Sequence, residues 1–129
     1  MATQSEQPKG ELAVRTLAMP ADTNPNGDIF GGWVLSQMDI AGAIIAGKEA
    51  KGRTVTVQVE TMTFHRPVHV GDVLCCYVEV IKIGNTSLKL KIEAWAMRNF
   101  DPDRVKVTEG IFTYVAIDEN RKPRPIIKS

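Results

Sequence analysis

Asp39 stands in a stretch with few other polar side chains: residues 29–47 read IFGGWVLSQMDIAGAIIAG. An ionised carboxylate in apolar surroundings costs free energy unless something pairs with it or uses it. If the stretch is helical, the residues one and two turns away on the same face are Gly32, Leu35, Ser36, Gly42, Ala43 and Ala46. That face is nearly bare of bulk, so a slender ligand or a second backbone can approach the acid. Gly31 and Gly32 fall at the helix start, where backbone N–H groups have no intrahelical acceptor and the helix dipole favours negative charge. Two such donors can polarise a carbonyl oxygen, and a carboxylate two turns on can act on the same carbonyl as general base or nucleophile. The combination points to acyl transfer to water. The alternative is structural: Asp39 paired with Arg15, Arg66 or a backbone donor, with no chemistry to perform.

The other chemistry-bearing residues have simpler readings on their own. Asn24, in the turn-rich PADTNPNGD (residues 20–28), most simply bonds its own backbone. Asn26-Gly27 is a turn pair, and Asp28 reads as a helix cap or first-turn acid. His65 and His69 have no third ligand and a proline between them, so no metal is expected. No serine elbow, phosphate loop or dinucleotide fingerprint occurs, and GDIFGG (residues 27–32) matches neither glycine spacing.

The elements that would position these groups follow from pattern. A flexible arm is expected over residues 1–10, a single domain over 11–118 and an irregular tail over 119–129. Glu11 to Ala18 alternates as a first strand. A helix is expected from about Phe30 to Lys51, stopping near Gly47 and Gly52, and buried on every side because it is apolar all round. Val55, Val57 and Val59 alternate with Thr56, Gln58 and Glu60, and the apolar phase then moves to Met62 and Phe64, which places a bulge near Glu60-Thr61. Val73 to Ile83 and Ser87 to Met97 read as strands joined by a hairpin at Gly84-Asn85. In the second of these, Leu88, Leu90, Ile92, Ala94 and Ala96 share one face. Asn99 to Arg104 reads as a loop and Val105 to Ile117 as the last strand. One helix with about five hairpin-linked strands implies an α+β fold, the antiparallel sheet wrapped around the helix. Such a sheet leaves edges that invite a second copy.

The totals exclude several function classes. The 129 residues carry 16 basic and 15 acidic side chains, a net charge of +1, which gives no reason to expect nucleic acid or an anionic membrane as partner. No apolar tract is long enough for a membrane span, and the polar N-terminus directs no export, so the expectation is a cytoplasmic protein without membrane insertion. The two cysteines, Cys75 and Cys76, are adjacent in a strand, face opposite ways and are expected as reduced core thiols.

The run TLAMPADTNPNGDIFGGWVLSQMD (residues 16–39) resembles the YciA-type acyl-CoA thioesterases of the hotdog superfamily. The likeness continues through VTVQVETMTFHRPVHVGDVLCCYVEV (residues 55–80) and GNTSLKLKIEAW (residues 84–95). It implies a hotdog fold, a dimer with a continuous sheet, commonly a trimer of such dimers, and hydrolysis of acyl-CoA to CoA and fatty acid. No metal or organic cofactor is implied, coenzyme A being part of substrate and product. By the same resemblance Asp39 is catalytic, Asn24 its partner across the subunit interface, and Gly31 and Gly32 the place where the thioester carbonyl is polarised. The turn Gly84, Asn85, Thr86 and Ser87 resembles the segment that contacts coenzyme A. Its phosphates need cations, for which Lys89, Lys91, Arg98, Arg104, Lys106, Arg121, Lys122 and Arg124 are candidates. Two competing readings are a hydratase or dehydratase of acyl-CoA, which would lean on His65 or His69, and a non-catalytic acyl-CoA sensor.

Overall fold

The computed structural model describes residues 6–60, 62–98, 101 and 103–126. Five strands and one long helix account for most of them: β1 (Glu11–Leu17), α1 (Gly31–Ala50), β2 (Thr54–Glu60), β3 (Val73–Ile83), β4 (Ser87–Met97) and β5 (Arg104–Ala116). The strands form one antiparallel sheet in the order β1-β3-β4-β5-β2. The sheet wraps α1, and the alternation read in β4 is the reason: Leu88, Leu90, Ile92, Ala94 and Ala96 are all essentially inaccessible on the helix side. The odd positions face away, where Trp95 joins Cys75 and Tyr77 in a second apolar cluster. Cys76 points into the main core and Cys75 out of it, as adjacent strand residues must. Burial pushes the Cys76 thiol up to about 12.

The helix ends where its sequence says it should. Lys51 takes a left-handed conformation (φ 56°), and Gly52 N–H returns to Gly47 O at 3.1 Å. A carbonyl of the last turn, Ala50 O, accepts from Arg124 Nη2 at 3.0 Å, so the C-terminal segment is knitted to the helix end. Ile117 and Pro123 form an isolated bridge around the turn at Asp118, and Ile126 is buried.

Two local expectations are corrected. The helix is apolar all round but is not covered all round within one protomer. Val34, Met38, Ala41, Gly42, Ile45, Ala46 and Ala50 are buried against the sheet, whereas Leu35, Ile40 and Ile44 lie open, Ile44 at 50 % exposure. A five-stranded sheet curls around one side of a cylinder about 10 Å across and leaves the other side bare. The register irregularity in β2 falls between Thr56 and Gln58 rather than near Glu60; Thr61 lies outside the described residues, as do 1–5, 99, 100, 102 and 127–129. A bulge re-aims side chains. Here Val57 is the extra residue: Thr56 lies opposite Tyr114 and Val59 opposite Phe112, so both share the inward face of those partners, while Val57 and Val59 are 55 % and 41 % exposed.

Candidate active site

Asp39 lies midway along α1 and is half-buried. Its Oδ1 accepts two hydroxyl hydrogen bonds, from Thr56 Oγ1 at 2.7 Å and from Tyr114 Oη at 2.8 Å. The Tyr114 hydroxyl also stands 3.0 Å from the main-chain oxygen of Asp39. Oδ2 has no partner among the described residues. Neither Arg15 nor Arg66 is involved: Arg15 lies against Cys75 on the other face of the sheet, and Arg66 Nη1 donates to Lys106 O at 2.8 Å. Among the described residues the acid therefore has neutral donors on one oxygen and none on the other.

Each donor has a local cause. Tyr114 sits on the inward face of β5 with Phe112 and Ala116, fully buried, its ring stacked on Phe112 with centroids 6.5 Å apart. A buried phenol needs a hydrogen-bond partner, and Asp39 lies within reach. Burial first, then the bond to the carboxylate, holds the Tyr114 hydroxyl well above the usual phenol range, so it remains a donor. Gly42, one turn beyond Asp39, clears the path. A Cβ there would fall inside contact distance of the Tyr114 hydroxyl and 2.7 Å from Ile92 Cδ1. Thr56 arrives from β2 as the register partner of Tyr114, so the two side chains lie on one face of the sheet.

The helix entrance forms a second part of the site. Phe30 is the N-cap and offers no side-chain cap. Trp33 and Val34 N–H donate to Phe30 O, leaving the N–H groups of Gly31 and Gly32 without an acceptor among the described residues. Asp28 is not the cap or first-turn acid expected of it: Oδ1 lies 3.6 Å from His69 Nδ1, drawn toward the residue 65–72 segment. A cavity of about 300 Å³ opens here, lined by Asn24, Gly31, Val34, Phe64, His65 and Arg66 among others. The segment that walls it is held by buried Asp72, which accepts from His69 N–H at 2.9 Å and Arg98 Nε at 3.0 Å.

Within one protomer the expected site residues form three separate groups. Asn24 and Gly31 share the entrance cavity, whereas Asp39, two turns along, does not line it. Asn24 Oδ1 closes its own loop, accepting from Asn26 N–H (2.9 Å) and Asp28 N–H (3.1 Å). Its amide N–H groups have no partner among the described residues. The turn Gly84, Asn85, Thr86 and Ser87 is closed by Gly84 N–H to Ser87 O at 2.7 Å, with Asn85 O taken by Ile126 N–H. It belongs to the opposite end of α1, the end that Arg124 of the same tail segment caps. A 20-residue helix spans about 30 Å, so the two ends cannot serve one site without another copy.

Most of the eight candidate cations are already engaged. Lys89 lies near Glu60, Lys91 and Lys106 near Glu93 and Glu109, and Arg98 on Asp72. Arg104 donates to the Tyr77 hydroxyl, and Arg124 caps the helix. Of the eight, only Arg121 and Lys122 have side chains without such a partner among the described residues.

Tyr114 and Thr56 are the functional neighbours that sequence reasoning missed. A tyrosine in phase with Phe112 and Ala116 on an inward strand face was the available signal for the first, since its hydroxyl demands a partner inside. For the second there was no local signal: only the pairing of Thr56 with Tyr114 puts it on the inward face.

Comparison with known proteins agrees with this architecture. Residues 26–98 match the family model described as the thioesterase superfamily. The chain is 58 % identical over 129 residues to an acyl-CoA thioester hydrolase, YciA, of Salmonella typhimurium, covering 98 % of this chain and 97 % of that protein. Among solved structures it resembles a hexameric thioesterase from Yersinia pestis, with a TM-score of 0.92 and 56 % identity over 95 % of this chain and all of the other. It also resembles a hexameric hotdog-fold thioesterase of Campylobacter jejuni, with a TM-score of 0.86 and 41 % identity over 92 % and 91 % of the two chains. One long helix in a five-stranded antiparallel wrap, an acid at mid-helix and this degree of identity place the chain in the thioesterase superfamily, within its YciA-type hotdog branch.

Proposed function

We propose that this chain hydrolyses acyl-CoA thioesters to coenzyme A and a carboxylic acid, at a site completed by a second copy of itself. The carrying observation is the Asp39 carboxylate, one oxygen saturated by two hydroxyls and the other without a partner among the described residues, on a helix face left open beside Leu35, Ile40 and Ile44. The relatives named above, hydrolases of the same length and fold, support the substrate class.

In this reading the N–H groups of Gly31 and Gly32 polarise the thioester carbonyl, and Asn24 of one copy faces Asp39 of the other. Asp39 acts as general base or nucleophile. The oxygen of one water ends on the acyl carbon, the carbon–sulfur bond breaks, and the departing thiolate takes a proton to become the free thiol of coenzyme A. Developing negative charge at the carbonyl oxygen is stabilised more strongly where water is excluded. The turn from Gly84 to Ser87 of a neighbouring copy contacts coenzyme A, and no metal or other cofactor takes part.

The open surface supports assembly. β2 is an edge strand with no charge before Glu60, and it adds exposed Val57 and Val59 to the exposed Leu35, Ile40 and Ile44 of α1. Exposed area of that kind marks an interface, and an uncharged edge invites strand pairing. The assembly is a dimer at minimum and a trimer of dimers in full. Two free, buried cysteines suit a reducing cytoplasm. No helix among the described residues is long and apolar enough to cross a membrane.

The test measures thiol release from acetyl-, butyryl- and palmitoyl-CoA by the purified protein, with the particle mass determined by sedimentation. Turnover of at least one ester by a particle of two or more copies is expected. A fully folded protein inert toward all three contradicts the proposal.

A further inference from the structure

We infer that Tyr114 is a positioning residue for Asp39, and that Asp39 Oδ2 is the oxygen that meets substrate or water. This rests on the reading of Asp39 as the reacting acid and goes beyond it by dividing the labour between its two oxygens. Thr56 and Tyr114 approach from different strands, β2 and β5, yet both hydroxyls land on Oδ1, at 2.7 and 2.8 Å. A carboxylate on a helix is free to turn about its last bond. Two donors on one oxygen remove that freedom and fix where the other oxygen points.

The main-chain contact of Tyr114 sharpens the point. The same phenol reaches Asp39 O at 3.0 Å, so it registers on the helix backbone as well as on the side chain it orients. Tyr114 is anchored in turn: fully buried, stacked on Phe112 and seated over the one helical position, Gly42, that leaves room for it. Its hydroxyl is thus held by the core rather than by the substrate. Catalytic groups gain most when they are oriented before substrate arrives, and small displacements are costly. Tyr114 does not touch the reacting atoms; it acts through Asp39.

The sign of the effect follows from the hydrogen-bond inventory. An ionised carboxylate only accepts, and a bond to a charged group contributes more than one between neutral groups. Losing Tyr114 Oη leaves Oδ1 with Thr56 alone and lets the carboxylate rotate, so fewer encounters present Oδ2. Ground-state binding of the ester is untouched, because the phenol lies behind the acid. The loss therefore falls on kcat.

The test compares the wild type, Tyr114→Phe, Asp39→Asn and the double variant in the intact oligomer, recording kcat, KM and thermal midpoint for each. Tyr114→Phe is expected to lower kcat about 10- to 100-fold, the range for a hydrogen bond to a charged group, with KM changed by less than about twofold. In Asp39→Asn, where no carboxylate remains to be oriented, adding Tyr114→Phe is expected to change the residual rate by less than about twofold, a non-additivity that coupled residues show. Wild-type kcat in Tyr114→Phe beside an inactive Asp39→Asn overturns the role of Tyr114 and leaves that of Asp39 standing. An effect confined to KM, or one of equal size in both backgrounds, also overturns it. Wild-type kcat in Asp39→Asn overturns the reading on which the inference rests.

Discussion

Asp39→Asn is expected to abolish most turnover, lowering kcat by about 10³-fold, while leaving the fold intact. The amide has the same shape as the carboxylate, and its oxygen can still accept from Thr56 Oγ1 and Tyr114 Oη, the two bonds that seat the side chain. What the change removes is the ability to take a proton or attack a carbonyl, and a positioned acid or base contributes about 10²- to 10⁴-fold. No ion pair breaks, because no cation among the described residues faces the acid. A midpoint within about 2 °C of wild type is therefore expected, since surface-facing polar changes without lost bonds stay within about 0.5 kcal/mol. Rate and denaturation measured on one preparation separate the two effects. A variant that loses activity only because it unfolds would point to a structural acid.

Gly42→Ala is expected to damage both stability and rate. Glycine within a helix ordinarily costs about 1 kcal/mol relative to alanine, so the substitution begins with a gain. The surroundings reverse the sign. The new methyl would overlap the Tyr114 hydroxyl and lie 2.7 Å from both Tyr114 Cζ and Ile92 Cδ1, all within the packed core. Overpacking typically costs about 1–3 kcal/mol, and relief requires the phenol to retreat from Asp39. A fall in melting temperature of several degrees and a kcat at or below that of Tyr114→Phe are expected. A more stable, fully active Gly42→Ala would show that Tyr114 has slack that its contacts do not reveal.

Much of this architecture could be read from periodicity. β3 and β4 begin and end where their alternation does, because both lie mid-sheet with one face against the helix, so pattern and burial coincide. The helix span was legible for the same reason, and its stop at Lys51-Gly52 for the conformational reason given above. The misreading of the helix concerns a surface that one protomer leaves unfinished. An all-apolar helix reads as fully buried, whereas here one half faces outward. β2 reads as alternating up to a bulge near Glu60-Thr61, whereas the shift among the described residues falls between Thr56 and Gln58, and Thr56 shares the inward face of its register partner Tyr114. Asp39 was visible as an acid among apolar neighbours, and the helix-start glycines as donors without acceptors. Tyr114 was not, because it lies 75 residues away in sequence and only the fold brings it to Asp39.

The central claim, that each site is shared by two copies, is tested most directly by complementation. Asp39→Asn removes the acid. Asn24→Asp keeps the Oδ1 acceptor that closes the turn around Asn26 and Asp28 but removes the amide N–H groups, which have no partner among the described residues. Each variant alone is expected to be nearly inactive. When the two are co-assembled in equal amounts, half the dimers are mixed, and each mixed dimer has one site with both lesions and one with neither. Recovery to about one quarter of wild-type activity is therefore expected from two-fold symmetry. A mixture no more active than the sum of its parents, with mixed dimers shown to form, would contradict a shared site.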